Sequence, residues 1–124
     1  MLRCVFVLLI AIAAALPAQA QRVFQSSALR GELVVVQPPE ALLNGKAVRL
    51  APGARIRNGS NLIQLSGSLV DQKLMVNYTL DPAGELRDVW ILTAAEQAAK
   101  PWPATAEQAR TWIFDSTMQR WSKP

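Results

Sequence analysis

The stretch Val76–Thr93, VNYTLDPAGELRDVWILT, constrains the fold more than any other part of the chain. Apolar and polar residues alternate on both sides of Asp81-Pro82-Ala83-Gly84, and a period of two is the mark of strands with one buried face. Proline at the second turn position presets φ, and Gly84 can take the left-handed conformation that forms a bulge. With Asp81 opposite Glu85, the pairs are Leu80 with Leu86, Tyr78 with Asp88, Val76 with Trp90 and Leu74 with Leu92. The other face pairs Thr79 with Arg87, Asn77 with Val89 and Met75 with Ile91. The pattern predicts a central antiparallel hairpin with Trp90 in the core, and a one-residue slip would bury Thr79 and Asn77.

Other elements follow from local chemistry. Leu33-Val34-Val35-Val36 is β-branched and closed by Pro38-Pro39, which predicts a strand buried on both faces or paired at an edge. Asn44-Gly45 between apolar flanks predicts a two-residue hairpin. Beyond Pro52-Gly53 the alternation resumes, sending Ile56 inward and Arg55 and Arg57 outward together. Asn58-Gly59-Ser60 is a turn, and Asn61–Leu65 reads as a strand or the start of a turn. Thr93-Ala94-Ala95-Glu96 is a capping box and predicts a short helix to about Ala99. Thr105–Gln108 repeats the device, and TWIFDSTMQRW reads as a last strand, a turn and a closing segment.

At the other end, Met1-Leu2-Arg3, the apolar block Cys4–Leu16, Pro17 and Ala18-Gln19-Ala20 have the order of a secretory signal peptide, with cleavage expected after Ala20. The apolar block falls short of the ~20 residues needed to span a bilayer. The expected organisation is a signal peptide over 1–20, a mobile lead-in over 21–31 and one domain over 32–124. Its class is α+β: a mainly antiparallel sheet with two short helices in the C-terminal half. Cys4 is the only cysteine, so the mature chain has no disulfide and depends on burial. Periplasmic localisation is expected, with secretion as the alternative and no membrane span after signal removal.

Composition excludes much chemistry. There is no histidine, and the mature chain lacks cysteine, which removes Ser-His-Asp and Cys-His catalysis and imidazole or thiolate metal sites. No glycine-rich phosphate loop is present, and no cofactor is expected. The acids Asp81, Glu85 and Asp88 could support a carboxylate hydrolase, but two of them flank a turn and the spacing fails that of a calcium loop. Removing Arg3 takes the formal charge from +4 to about +3. Between Glu40 and Asp71 there is no acid, while Lys46, Arg49, Arg55 and Arg57 lie there. Such a face could hold an anionic lipid headgroup or cell-wall polymer, or could be a solvated face that resists aggregation. Trp102 and Trp121 could be exposed anchors at an interface, or could pin a loop and a tail to the core.

VNYTLDPAGELRDVWIL and AEQARTWIF together resemble the C-terminal domain of the TonB-type energy-transducing proteins, with Trp112 and Phe114 in its W-x-F places. The resemblance covers about half of the mature chain and implies a compact α+β domain that recruits partners by pairing an exposed strand edge. That family typically carries an uncleaved anchor and a proline-rich linker, whereas a cleavable signal and no such linker are expected here, so no functional residue is carried over. The leading expectation is a non-enzymatic, exported interaction or structural module of the bacterial envelope, with an envelope protein as partner. The alternative is a binding module for an anionic envelope ligand through Lys46, Arg49, Arg55 and Arg57, and a third is the carboxylate hydrolase. The export signal argues against nucleic acid as a partner.

Overall fold

The computed structural model describes residues 22–124, so the predicted signal peptide lies outside the described residues. Strands β1 (Leu29–Gln37), β2 (Glu40–Leu43), β3 (Lys46–Arg57), β4 (Ile63–Gln64), β5 (Lys73–Leu80) and β6 (Leu86–Ile91) precede helices α1 (Ala94–Ala98) and α2 (Ala106–Thr111), and a hairpin of β7 (Ile113–Asp115) and β8 (Arg120–Ser122) ends the chain. The expected α+β class, with a mainly antiparallel sheet and two short C-terminal helices, is what the structure has.

The nine-residue β1 pairs antiparallel with β5 over its first part and with β2 over its second. In turn β2 pairs with β3, β3 runs parallel to β6, and β6 pairs antiparallel with β5. The ring β1-β2-β3-β6-β5 therefore closes into a five-stranded barrel with one parallel seam, the strand order of an OB-type Greek-key barrel. Closure leaves those five strands little free edge. Sequence signals account for its corners: Asn44 and Gly45 both take positive φ, 52° and 80°, in the expected tight β2-β3 turn. Between β3 and β6 the register jumps from Leu50↔Leu86 to Arg55↔Asp88, so Ala51–Ala54 bulge outward around Gly53 at φ 77°.

Leu33, Val35, Val76, Leu86 and Val89 are fully buried inside the barrel, each contributing about 1.5–3 kcal/mol of burial. Leu69, from a 3-10 turn at Ser66–Leu69, joins the same cluster. On β1 the residues alternate: Leu33 and Val35 point in, Val34 is half-buried and Val36 is 45% exposed. The run is therefore not buried on both faces; it is an ordinary barrel strand with an apolar outer side.

The hairpin departs from the expected register. Its turn forms as read, with Asp81 N–H donating to Glu85 O and Gly84 N–H to Asp81 O, both at 2.9 Å, and Leu80 pairs with Leu86. One extra residue then enters β6, and the pairs become Thr79↔Asp88, Tyr78↔Val89, Asn77↔Trp90 and Val76↔Ile91. Arg87 is exposed at this bulge, which lets Leu86 and Val89, three residues apart, both face the interior. Trp90 is consequently outside the barrel, Leu80 is 45% exposed, and Asn77 is fully buried under a second cluster.

That second cluster corrects two further expectations. The segment read as a mobile lead-in packs: Phe24, Ala28, Leu29 and Arg30 are buried, and β1 begins at Leu29 rather than near Glu32. Trp102 and Trp121 are 8% and 4% exposed, so they are pins and not exposed anchors. Trp102 Nε1–H donates to Ala28 O at 2.9 Å, and its ring meets Phe24, Phe114 and Trp121 edge-on. Trp121 lies 4.7 Å from Phe114 between centroids. N- and C-terminal segments thus share one small core on the outer side of the barrel, with Trp112 and Phe114 packed at its border.

The caps form nearly as read. Thr93 and Glu96 make both bonds of the capping box on α1. Thr105 Oγ1 accepts from Gln108 N–H on α2, but the Gln108 carboxamide accepts from Ala104 N–H instead of returning to Thr105.

Candidate functional site

The parallel seam builds the site. On β3, Arg55 and Arg57 stand two residues apart and flank the buried Ile56. Directly across on β6 are Asp88 and Trp90, in register as Arg55↔Asp88 and Arg57↔Trp90. All four point away from the barrel, and a strand spacing of about 4.8 Å makes them a compact square. The N-terminal segment forms a wall beside it, and a cleft of about 460 Å³ is bounded by Arg22, Val23, Gln25, Asn61 and the four residues of the square.

Each cation in this cleft has a different status. Arg22 donates from Nε and Nη2 to both carboxylate oxygens of Glu96, and also to the carbonyls of Asn58 and Ile91. It is a clasp between the N-terminal segment, the β3–β4 turn and α1. Burial alone would raise the Glu96 carboxyl, but the Arg22 and Thr93 hydrogen bonds and the Arg22 charge outweigh it and hold it below the usual carboxylate range. Arg57 Nη1 lies 3.7 Å from Asp88 Oδ1 in a partly exposed pair. Arg55 is exposed, and among the described residues no carboxylate lies within 4.0 Å of it. Trp90 is half-buried, held by an edge-to-face contact with Phe24 at 5.7 Å.

Arg30, behind the site, is structural. It lies 9% exposed, donates to Asn77 Oδ1, Ala99 O and Glu96 O, and places its guanidinium 4.8 Å from the Trp102 ring centre. It satisfies carbonyls at the C-terminal end of α1. Burial lowers its pKa, partly offset by the charge of Glu96. Asn77 Nδ2 and Trp121 Nε1 are buried with no partner among the described residues.

The four basic residues read from the sequence do not form one patch. Arg55 and Arg57 meet in the cleft. Arg49 shares their outward parity but pairs with Glu40 at 3.5 Å and lines a second, more apolar cleft of about 620 Å³ with Pro38, Pro39, Ala51–Ala54 and Ile63–Ser66. The bulge at Ala51–Ala54 separates it from Arg55. Lys46 sits at the β2-β3 turn and keeps the parity of the inward Val48 and Leu50. The acids also disperse. Asp81 accepts from Ala83 N–H and Glu85 N–H in its turn, Glu85 borders the second cleft, and Asp88 faces Arg57. No group of three or more metal-ligating side chains occurs among the described residues.

Sequence reasoning misses Arg22 and Trp90 as site residues, and it reads Asp88 only as a candidate hydrolase acid and not as the partner of an arginine. The sequence pattern already places Asp88 and Trp90 on one face at i and i+2, and the bulge at Arg87 turns that face outward. Among the described residues no helix is long and apolar enough to cross a membrane. The chain matches no protein-family model, no curated protein and no solved structure, so the likeness to TonB-type C-terminal domains rests on the quoted segments alone.

Proposed function

We propose that the protein is a non-enzymatic binding module of the bacterial envelope that holds an anionic envelope component on the outer side of β3. The observation that carries this reading is Arg55: an exposed guanidinium without a carboxylate partner among the described residues, beside a second arginine and an indole, in a cleft within the about 300–1,000 Å³ range of small-ligand sites. Arginine suits bidentate capture of carboxylate or phosphate. The absence of histidine, and of cysteine downstream of the expected signal, is consistent with binding rather than catalysis. The periplasm as the place of action rests on the N-terminal sequence pattern.

The test is retention of the purified protein on beads carrying polygalacturonate and on phosphatidylglycerol vesicles, at rising salt, with Arg55→Glu beside the wild type. Binding to at least one surface that weakens with salt and is lost in the variant supports the proposal. Binding to neither, or binding indifferent to both changes, refutes it. A protein partner is the second reading, favoured by Leu62, Ile63 and Leu65, which are 63%, 59% and 78% exposed around the short β4 at the rim of the second cleft. Ile63→Asp with Leu65→Asp would then abolish in-cell crosslinking to a dominant partner while leaving anion binding intact.

A further inference from the structure

The cleft at the parallel seam says more than "anion". We infer that it takes a single sugar-acid unit, a pyranose ring carrying one carboxylate or phosphate, with Arg55 on the anionic group and Trp90 under the ring. This rests on the anion-binding reading above and narrows its ligand.

The charge balance sets the number of anionic groups. Arg22 is neutralised by Glu96 and also donates to the carbonyls of Asn58 and Ile91, and Arg57 is opposed by Asp88. Arg55 alone is uncompensated among the described residues, which suits one anionic group and not the two or three charges of a nucleotide polyphosphate. Its five N–H donors can meet two oxygens of one carboxylate side by side.

Asp88 explains why the rest of the ligand should be rich in hydroxyls. Its Oδ1 faces Arg57 and, among the described residues, its Oδ2 has only a 3.4 Å contact from Thr79 Oγ1, so acceptor positions remain free. Ring hydroxyls are donors that fit such carboxylate acceptors. Asn61, exposed at φ 63° on the turn after β3, and the exposed Gln25 add carboxamides that both donate and accept. Trp90 supplies the one flat apolar surface, already held by Phe24, and the weakly polarised C–H face of a pyranose packs on the negative face of an indole. Apart from Trp90 and Val23 the described lining is polar, which suits hydroxyl groups better than an acyl chain. A lipid headgroup therefore fits less well than a saccharide.

The experiment follows the four tryptophan indole N–H signals of the purified protein by NMR during titration with the methyl glycoside of galacturonate, with the methyl ester of that compound, with inorganic phosphate, and with phosphatidylglycerol vesicles. The expected result is a saturable shift of the Trp90 signal with the galacturonate glycoside, weakened about tenfold or more by esterification and likewise by Arg55→Gln. Arg55 is exposed, so that variant should keep the wild-type melting temperature; Trp90→Ala, which also disturbs Phe24, is read only if its melting shows a folded domain. Equal binding of acid and ester, or a shift confined to Trp102, Trp112 or Trp121, overturns the inference. Binding of vesicles or phosphate alone, lost in Arg55→Gln, overturns the saccharide and leaves the anion-binding reading standing. Failure of every probe overturns both.

Discussion

Arg22 and Glu96 offer the most direct test of whether the N-terminal segment is part of the fold. Their side chains are 11% and 10% exposed, and two guanidinium N–H groups reach the two carboxylate oxygens. Hydrogen bonds to charged groups contribute about 1.5–3 kcal/mol, and stripping one partner from a buried pair costs about 3–5 kcal/mol. Arg22→Ala should therefore cost about 3 kcal/mol. Glu96→Ala also opens the capping box, a further loss of about 1 kcal/mol, and should cost about 4. Because both single variants destroy the same pair, the double variant should cost only about 4–5 kcal/mol, a coupling of about 2–3 kcal/mol. Urea unfolding of the purified wild type and three variants measures all four corners of the cycle. Losses that add to within about 0.5 kcal/mol would refute the clasp, and with it the integration of residues 22–30 into the domain.

Glu96 also sets an acid limit. Its folded pKa lies below the unfolded value of 4.5, so its contribution is complete above that pH and is lost as pH falls through the folded value. Unfolding curves below about pH 4.5 should therefore steepen for the wild type and flatten for Glu96→Gln. Leu80→Ala should cost under about 1 kcal/mol and Leu86→Ala about 3 kcal/mol, as thermal melting would show; comparable losses would restore the unbulged register. Gly45→Ala at φ 80° should cost about 1–2 kcal/mol although nothing lies near its new methyl, whereas Gly67→Ala, equally uncrowded and without positive φ, should be neutral within about 0.5 kcal/mol by the same assay.

What was legible in the sequence was local. Asn44-Gly45, the Asp81–Gly84 turn and the Thr93 cap follow from dihedral preferences and short-range hydrogen bonds, and each formed where the residues placed it. Closure of the sheet was not legible, because the pairing of β1 with β5 joins residues 39 to 49 positions apart and no local pattern records it. Phe24 and Trp121 illustrate the same limit. Each looks like an aromatic on a loose end, and only their meeting over β5 and β6 makes them buried. Arg55 and Arg57 were readable as an outward pair because a period of two needs no tertiary information, while their neighbours on β6 were hidden by one inserted residue.

That inserted residue links the core to the site. Had β5 and β6 kept simple alternation, Asp88 would lie opposite Tyr78, whose side chain is buried in the barrel, and a carboxylate there would face no cation. Burying such a charge without a partner costs several kcal/mol or forces it to take up a proton. The bulge at Arg87 exchanges it for Val89, which fills the interior, and moves Asp88 to the outer side, where Arg57 meets it. Trp90 follows two residues on and lands opposite Arg57. The core requirement for Val89 inside and the assembly of a carboxylate and an indole against two arginines outside are thus one event. Any substitution that removes the bulge should therefore disrupt the barrel and the cleft together.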